Sequence, residues 1–469
     1  MKDIFVNEWK GLFRNRIFLY LTIFFVAALA LVTWLGIIQN QKQIEAQNAA
    51  HNHIRAQWDE MKPSNPHGAA HFGSYAFKPN TILNSIDEGV NAVTGKVLRL
   101  EGHTQNDVVY SEASQSLLIS KFGKLKPSLL FQFVIPLFLL FLAFKTLASE
   151  RETGRLKLLL IQGISLRNLV FAKIFSIWVI GIVLLLFATL IQIVINLNQF
   201  NSDNVLRLFF LISCYGIYYL IITSLTVFIS VVLKNSAASL ALTIAIWVGW
   251  TIFLPKISGN AAEKLSPLPT RVEFQKAMDE DRSKGIDGHN PSGDRKKALE
   301  KATLVKYKAD SLSQLPINFD GLVMQADEDY GNTVWDKHFG KLYKQLQSQK
   351  RIYQLSGIIN PFSSLQNLSM GAAGTDMFHH LDFLKQAENY RRVFIKTLND
   401  KMAFGGSKTG DWSWTADNAF FKSVNDFAYQ QPSLSNNWSK YLIDMLVLLA
   451  WAVGLLALTN YSSKRVSVL

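Results

Sequence analysis

The residues best equipped for chemistry in this 469-residue sequence are histidines, and they fall into two groups. His67 and His71 stand at i and i+4, a spacing that puts two imidazoles on one helical face, and His103 follows the acidic Glu101. With His51 and His53 nearby, imidazoles converging there would suit a borderline divalent metal such as zinc. Pro66 and Gly68 argue against a regular helix through His67. His67, His71 and His103 are therefore read as hydrogen-bonding residues, and the chain is expected to hold no metal. His379 and His380 beside Asp376 receive the same reading. GGSKTG at Gly405–Gly410 approaches a phosphate-binding loop, but Ser407 precedes the lysine and the first glycine is misplaced. HExxH and GxSxG are absent, so metalloprotease and serine-hydrolase chemistry have no motif and no catalytic residue is assigned. The lone Cys214 excludes an intrachain disulfide and a CxxC site.

The elements that must position these residues are dominated by apolar blocks. Hydrophobic residues make up 49% of the chain and concentrate in six stretches of about twenty. The expected fold class is an all-α membrane protein with six transmembrane helices at 17–38, 129–147, 169–195, 205–233, 237–254 and 441–460. The first runs 22 positions without a charge, too long for a signal-peptide core. The charges in the other blocks, Lys145, Lys173, Arg207 and Asp444, lie towards their ends. Lys145 and Lys173 are expected to snorkel to the interface, and Pro136 to kink the second span, a neighbouring helix or water meeting the freed carbonyl. Asp444, near the outer end of the sixth span, is the one candidate for a translocation path. Residues 1–16 read as an amphipathic interfacial helix, with Phe5, Trp9, Leu12 and Phe13 on one face and Lys2, Asp3, Lys10 and Arg14 largely elsewhere.

Orientation follows from Lys and Arg in the short connections. Lys2, Lys10, Arg14 and Arg16 precede the first span, and Arg151, Arg155, Lys157 and Arg167 follow the second. Lys234 follows the fourth, Lys464 and Arg465 end the chain, and 196–204 has no Lys or Arg. Both termini and the 148–168 connection are therefore expected in the cytoplasm, with the 461–469 tail. Regions 39–128 and 256–440 are expected outside it, forming a mainly helical extracytoplasmic domain. Lys121, Lys124 and Lys126 at the outer end of the second span run against the rule. Long helices are expected at 334–355 and 377–398, and a continuation of the first span to about residue 61. The net charge of +13 does not point to nucleic acid, because the two large regions carry only +5 of it (9 basic and 8 acidic residues, then 25 and 21). The rest belongs to the spans, short connections and tails, where anionic membrane lipid is the natural counterpart.

One connection stands out. Ser149–Lys173 reads SERETGRLKLLLIQGISLRNLVFAK, an acidic pair, a glycine, a leucine-rich turn and a second small-residue turn. It resembles the coupling loop of the ABC-2 type transporter permeases. Glu150, Glu152, Gly154, Leu156, Leu158, Leu159 and Leu160 match the family pattern, while Arg155 stands where Thr is usual and Gly163 where Pro is common. NPHGAAHFG (Asn65–Gly73), YAFKP (Tyr75–Pro79), LEGH (Leu100–His103), LPINFDG (Leu315–Gly321), INPFSSLQNLSMGAAGTD (Ile359–Asp376) and FLKQAENYRR (Phe383–Arg392) resemble a bacterial subgroup with large extracytoplasmic insertions.

The resemblance implies a type V ABC exporter-like bundle in a bacterial inner membrane. Its partners would be an ABC ATPase dimer, a second permease (identical or paralogous), membrane lipid and an extracytoplasmic protein. ATP and Mg would bind the ATPase, leaving this chain without a cofactor and non-catalytic. The coupling residues would be Glu150, Arg151, Glu152, Gly154, Leu156, Leu159 and Leu160, a short helix whose leucine face docks on the ATPase. Two other classes stay open: a mechanotransmission or assembly scaffold acting on an extracytoplasmic partner, and a membrane enzyme using the histidine groups.

Overall fold

Asn15 opens the first long helix, its side-chain oxygen accepting from the Ile17 N–H at 3.0 Å. The helix then runs unbroken from Arg16 to Asp59. At 1.5 Å per residue it reaches roughly 66 Å, about twice a hydrocarbon core. Its apolar first half suffices to cross, and its Gln- and Ala-rich second half continues into a large helical domain. The computed structural model describes residues 2–106, 124–286 and 288–465. Lys121 and the 107–123 and 466–469 parts of the regions named above lie outside the described residues, as do the side chains of Lys2 and Asp3.

Six helices are long and apolar enough to cross a membrane: Arg16–Asp59, Pro127–Glu152, Leu166–Ile195, Ser202–Val232, Ser236–Leu265 and Leu434–Arg465. Large apolar residues such as Ile17, Phe24, Val194, Phe209 and Val453 are exposed on their outer faces, as lipid-facing helices require. The protein is an all-α membrane protein. The sheet among the described residues has two short antiparallel strands, Ser74–Phe77 paired with Val97–Leu100.

Tyrosines of the fourth span sit at the centre of the bundle. The second span contains a π-turn at Leu130–Val134 directly before Pro136. Proline cannot donate to the preceding turn, and the Phe131 carbonyl is met by the Tyr219 hydroxyl at 3.1 Å. A buried polar relay continues from there. Gln132 Nε2 donates to Tyr215 (3.1 Å), whose hydroxyl lies 2.8 Å from Ser369 Oγ, and Ser369 donates to Asp87 at 2.5 Å. Bundle and large domain are thus joined by fully paired groups, which raises the cost of separating them.

Ser369 belongs to an element that the hydropathy pattern does not reveal. The Pro361–Ala373 helix packs against the fourth and sixth spans, and Phe362, Leu365, Leu368 and Ala372 enter the same apolar cluster as the spans. Thirteen residues reach about 20 Å, too short to cross. Arg207, 1% exposed, closes its end: the guanidinium donates to the Gly371 and Ala372 carbonyls at 3.2 and 3.3 Å and to Pro432 O at 2.6 Å. A cation at a helix C-terminus also meets the negative end of its dipole.

The large domain is built on two long helices packed side by side, Phe319–Leu355 and Met377–Phe404. Trp58 of the first helix joins Phe394, Leu398 and Phe421 in one apolar cluster, so the two large regions share a core. Lys124 and Lys126, which ran against the orientation rule, pair with Glu88 at 3.4 and 3.8 Å, beside Lys96 at 3.3 Å.

Lys78 is a buried cation in this domain, its Nζ donating to Asn91 Oδ1 at 2.8 Å. Burial drives its pKa down from 10.5 to about 7; nearby Asp376 opposes this and Lys96 adds to it. The folded pKa lies below the unfolded one, so the full burial cost applies below about pH 7 and fades as pH rises towards 10.5. Lys78→Met should therefore raise the Tm of the domain by a few degrees at pH 6, at about 2–4 °C per kcal/mol. The gain should shrink towards pH 10. A gain that grows with pH in a thermal-unfolding series would contradict this.

Candidate functional site

The connection after the second span is held to the bundle residue by residue. Gly154 takes φ +75, a left-handed conformation that only glycine adopts without strain, and the chain restarts as the short helix Arg155–Ile161. Ser165 caps the third span that follows, accepting from the Asn168 N–H at 3.3 Å.

Of the acidic pair, Glu150 faces inward, while Glu152 is exposed at the surface. Glu150 reaches Lys173 Nζ at 2.8 Å, and Glu8 of the N-terminal helix reaches the same atom at 2.7 Å. Lys173 is 3% exposed, so it does not snorkel as expected: two carboxylates compensate its charge in place. Glu152 accepts from the Ser236 N–H (2.7 Å) and hydroxyl (2.8 Å), tying the connection to the start of the fifth span. Arg151 reaches the Leu233 carbonyl at 3.4 Å, and Ser230 Oγ accepts from the Leu147 and Ala148 N–H groups at 3.1 and 3.0 Å. The N-terminal helix (Lys2–Arg14) is part of the assembly, since the Trp9 indole donates to Ser176 O at 3.2 Å, stacks on Phe5 and meets Phe13 at a tilt.

The leucine face divides differently from the expectation. Leu156 is 1% exposed and Leu159 and Leu160 pack partly into the bundle, because the anchored acidic pair turns that face inward. Leu156 is thereby buried in the bundle rather than on the open face of the short helix. Leu158 and Ile161 are the outward apolar pair, 62% and 82% exposed, flanked by exposed Arg155, Lys157 and Arg167. Glu8, Ser230 and Ser236 were not singled out from sequence. Lys173, a charge in an apolar block, was the signal that could have prompted a search for its carboxylates.

The large domain meets the opposite ends of the spans. Gln192 donates to Ile82 O at 2.9 Å and lies roughly 29 Å from Lys173 along the same helix. Asp444 is buried at that end and accepts from Gln354 Nε2 at 2.7 Å. Gln354 also lines a cleft of about 730 Å³ between the two long helices, with Tyr343, Lys350, Lys385, Arg392 and Ile443.

The first histidine group does come together. Pro66 occupies the first helical turn, where its missing N–H costs nothing, and Asn65 caps it, accepting from the His67 N–H at 2.9 Å. Pro66–Phe72 is thus a helix, contrary to the expectation, and His67 Nε2 stands 3.2 Å from His71 Nε2. His103 closes on them, one nitrogen of each lying within 4.8 Å of the others. His379 instead hydrogen-bonds Asp376, the cap of its own helix, at 2.6 Å, and His51 pairs with Asp426 at 2.8 Å. The Gly405–Gly410 loop serves a local end: Ser407 accepts from Asn318 at 3.0 Å, and Thr409 accepts from the Phe319 N–H at 2.9 Å.

Comparison with known families gives two matches that meet just after the fifth span. Residues 72–267, from the small sheet through the fifth span, match the family described as ABC-2 family transporter protein. Residues 271–430, most of the large domain, match a Domain of unknown function (DUF3526). Neither a curated protein nor a solved structure matches the chain.

Proposed function

We propose that this chain, whose residues 72–267 match the ABC-2 family transporter protein model, is a membrane subunit of an ABC transporter, and that the Arg155–Ile161 helix is where a separate ATPase subunit docks. The supporting observation is the anchoring of that helix. Glu150–Lys173–Glu8 and Glu152–Ser236 fasten it to the third span, the N-terminal helix and the fifth span, while Leu158 and Ile161 point away. A docked body that moved would carry the attached spans as a rigid group.

On this reading the Arg155–Ile161 side and both termini are cytoplasmic in a bacterial inner membrane, and two ATPases bind ATP and Mg beneath two permease chains, identical or paralogous. Closure of the ATPases tilts the short helices and opens a route for an exported substrate. The path would run past Asp444 to the cleft beside Gln354. This chain supplies motion and a path, not catalysis.

A second reading, mechanical action on an extracytoplasmic partner, draws support from the unbroken 44-residue helix, which would carry bundle motion directly into the large domain.

The test is a charge on the docking face. Leu158→Glu with Ile161→Glu places two carboxylates at exposed positions, so the spans should keep their Tm. The co-purifying ATPase should fall at least about tenfold, the equivalent of 1.4 kcal/mol. Undiminished recovery of the ATPase with this variant would remove the docking assignment.

A further inference from the structure

The His67–His71–His103 group is not used by the transporter reading and has the marks of a built site. Its first two members are fixed by the capped Pro66–Phe72 helix, one turn apart. Its third is held in a conformation that a non-glycine residue rarely takes, φ +63. The His103 N–H donates to Glu328, its Nδ1 lies 3.1 Å from the same carboxylate oxygen, and its carbonyl accepts from Arg282 at 2.6 Å. Glu328 is itself fixed by Arg391 at 3.0 Å. A carboxylate on Nδ1 leaves Nε2 as the nitrogen available to ligate, an arrangement that orients ligating histidines and raises their basicity.

We propose that His67, His71 and His103 form a three-imidazole site for a divalent transition metal of the zinc type, with the fourth coordination position open to solvent. At metal–nitrogen distances of about 2.0–2.1 Å, tetrahedral ligands stand about 3.3–3.4 Å apart. The His67 and His71 nitrogens already stand at 3.2 Å, so one edge of the tetrahedron is formed. The widest separation in the trio, under 4.8 Å, closes with a shift of about 1.5 Å. Three neutral nitrogens without a thiolate favour zinc or copper(II) over calcium or magnesium, which take oxygen ligands. His71 is exposed, which gives a metal access from solvent. Once bound, the ion would staple the Pro66–Phe72 helix to the turn after the second strand and, through Glu328, to both long helices.

The full chain, purified in detergent without a polyhistidine tag and stripped with EDTA, is titrated with ZnCl₂ against a chromophoric chelator. One zinc per chain is expected. His71→Ala, at an exposed position, should keep the metal-free Tm and weaken zinc binding by at least about tenfold, since even an orienting partner is worth 10–100-fold. His53→Ala, another exposed histidine, should bind as the parent does. Zinc should also raise the Tm of the parent but not of His71→Ala. Uptake well below one equivalent, or equal affinity in parent and His71→Ala, overturns the site. No ATPase enters this measurement, so its failure would leave the transporter reading untouched.

Discussion

Lys173→Met should lower the Tm of the detergent-solubilised chain by several degrees and break the link between ATP hydrolysis and transport. The lysine neutralises two carboxylates at once, Glu8 at 2.7 Å and Glu150 at 2.8 Å, with 3% of its own side chain exposed. Removing one member of a buried ionic group costs about 3–5 kcal/mol, because the remaining charges lose their compensation. Glu8 and Glu150 keep 29% and 19% of their side-chain surface, so water recovers part of that loss and about 2–4 kcal/mol is expected. Adding Glu8→Gln and Glu150→Gln to the same chain should restore most of the stability, since no charge is then left unpaired. A Tm within about 1 °C of the parent's at a thermal cost of 2–4 °C per kcal/mol would show that the cluster anchors nothing.

Arg391→Met should be at least as damaging to the large domain. The guanidinium, 1% exposed, bonds Glu328 at 3.0 Å, Glu388 at 2.8 and 2.9 Å and Asn332 at 2.8 Å, and lies 4.7 Å from the Trp335 ring centroid. Its loss leaves Glu328 with only the His103 N–H and imidazole and Glu388 with only Arg392 at 2.8 Å, at a cost towards the lower end of about 3–5 kcal/mol. Lysine should rescue poorly, since a single ammonium cannot reproduce the planar fork that meets both carboxylates. The expected readout is rapid proteolysis of the large domain while the spans stay protected. Parent-like protection of the domain in Arg391→Met would contradict the role assigned to this residue.

How much of this was legible depended on which force wrote the pattern. The spans could be read because a bilayer demands about twenty apolar residues in a row, whatever the neighbours do. The motifs that carried the family resemblance could be recognised but not interpreted. The structure shows that several are helix starts: Asn65 before Pro66, Asn360 before Pro361, and Asp376 before Met377, each accepting from a backbone N–H of the first turn. Pro66 was misjudged as a helix breaker because the capping role of Asn65 was not weighed with it. The Pro361–Ala373 helix stayed hidden because Ser363, Ser364, Asn367 and Ser369 dilute its hydropathy, although all four are buried. The direction of the LKLLLI run could not be chosen either, since apolar residues lie on most of its circumference. Glu150, Glu152, Lys173 and Ser236 decide it, through contacts between residues distant in sequence.

The most direct test of the docking assignment is a photo-crosslinker at position 161, activated in native membranes, with a second chain labelled at exposed Val305 of the large domain as the control. Position 161 is expected to capture a polypeptide carrying a phosphate-binding loop, and position 305 is not. Capture of that polypeptide at 305, or of no nucleotide-binding protein at 161, would mean that the Arg155–Ile161 helix is not the docking site.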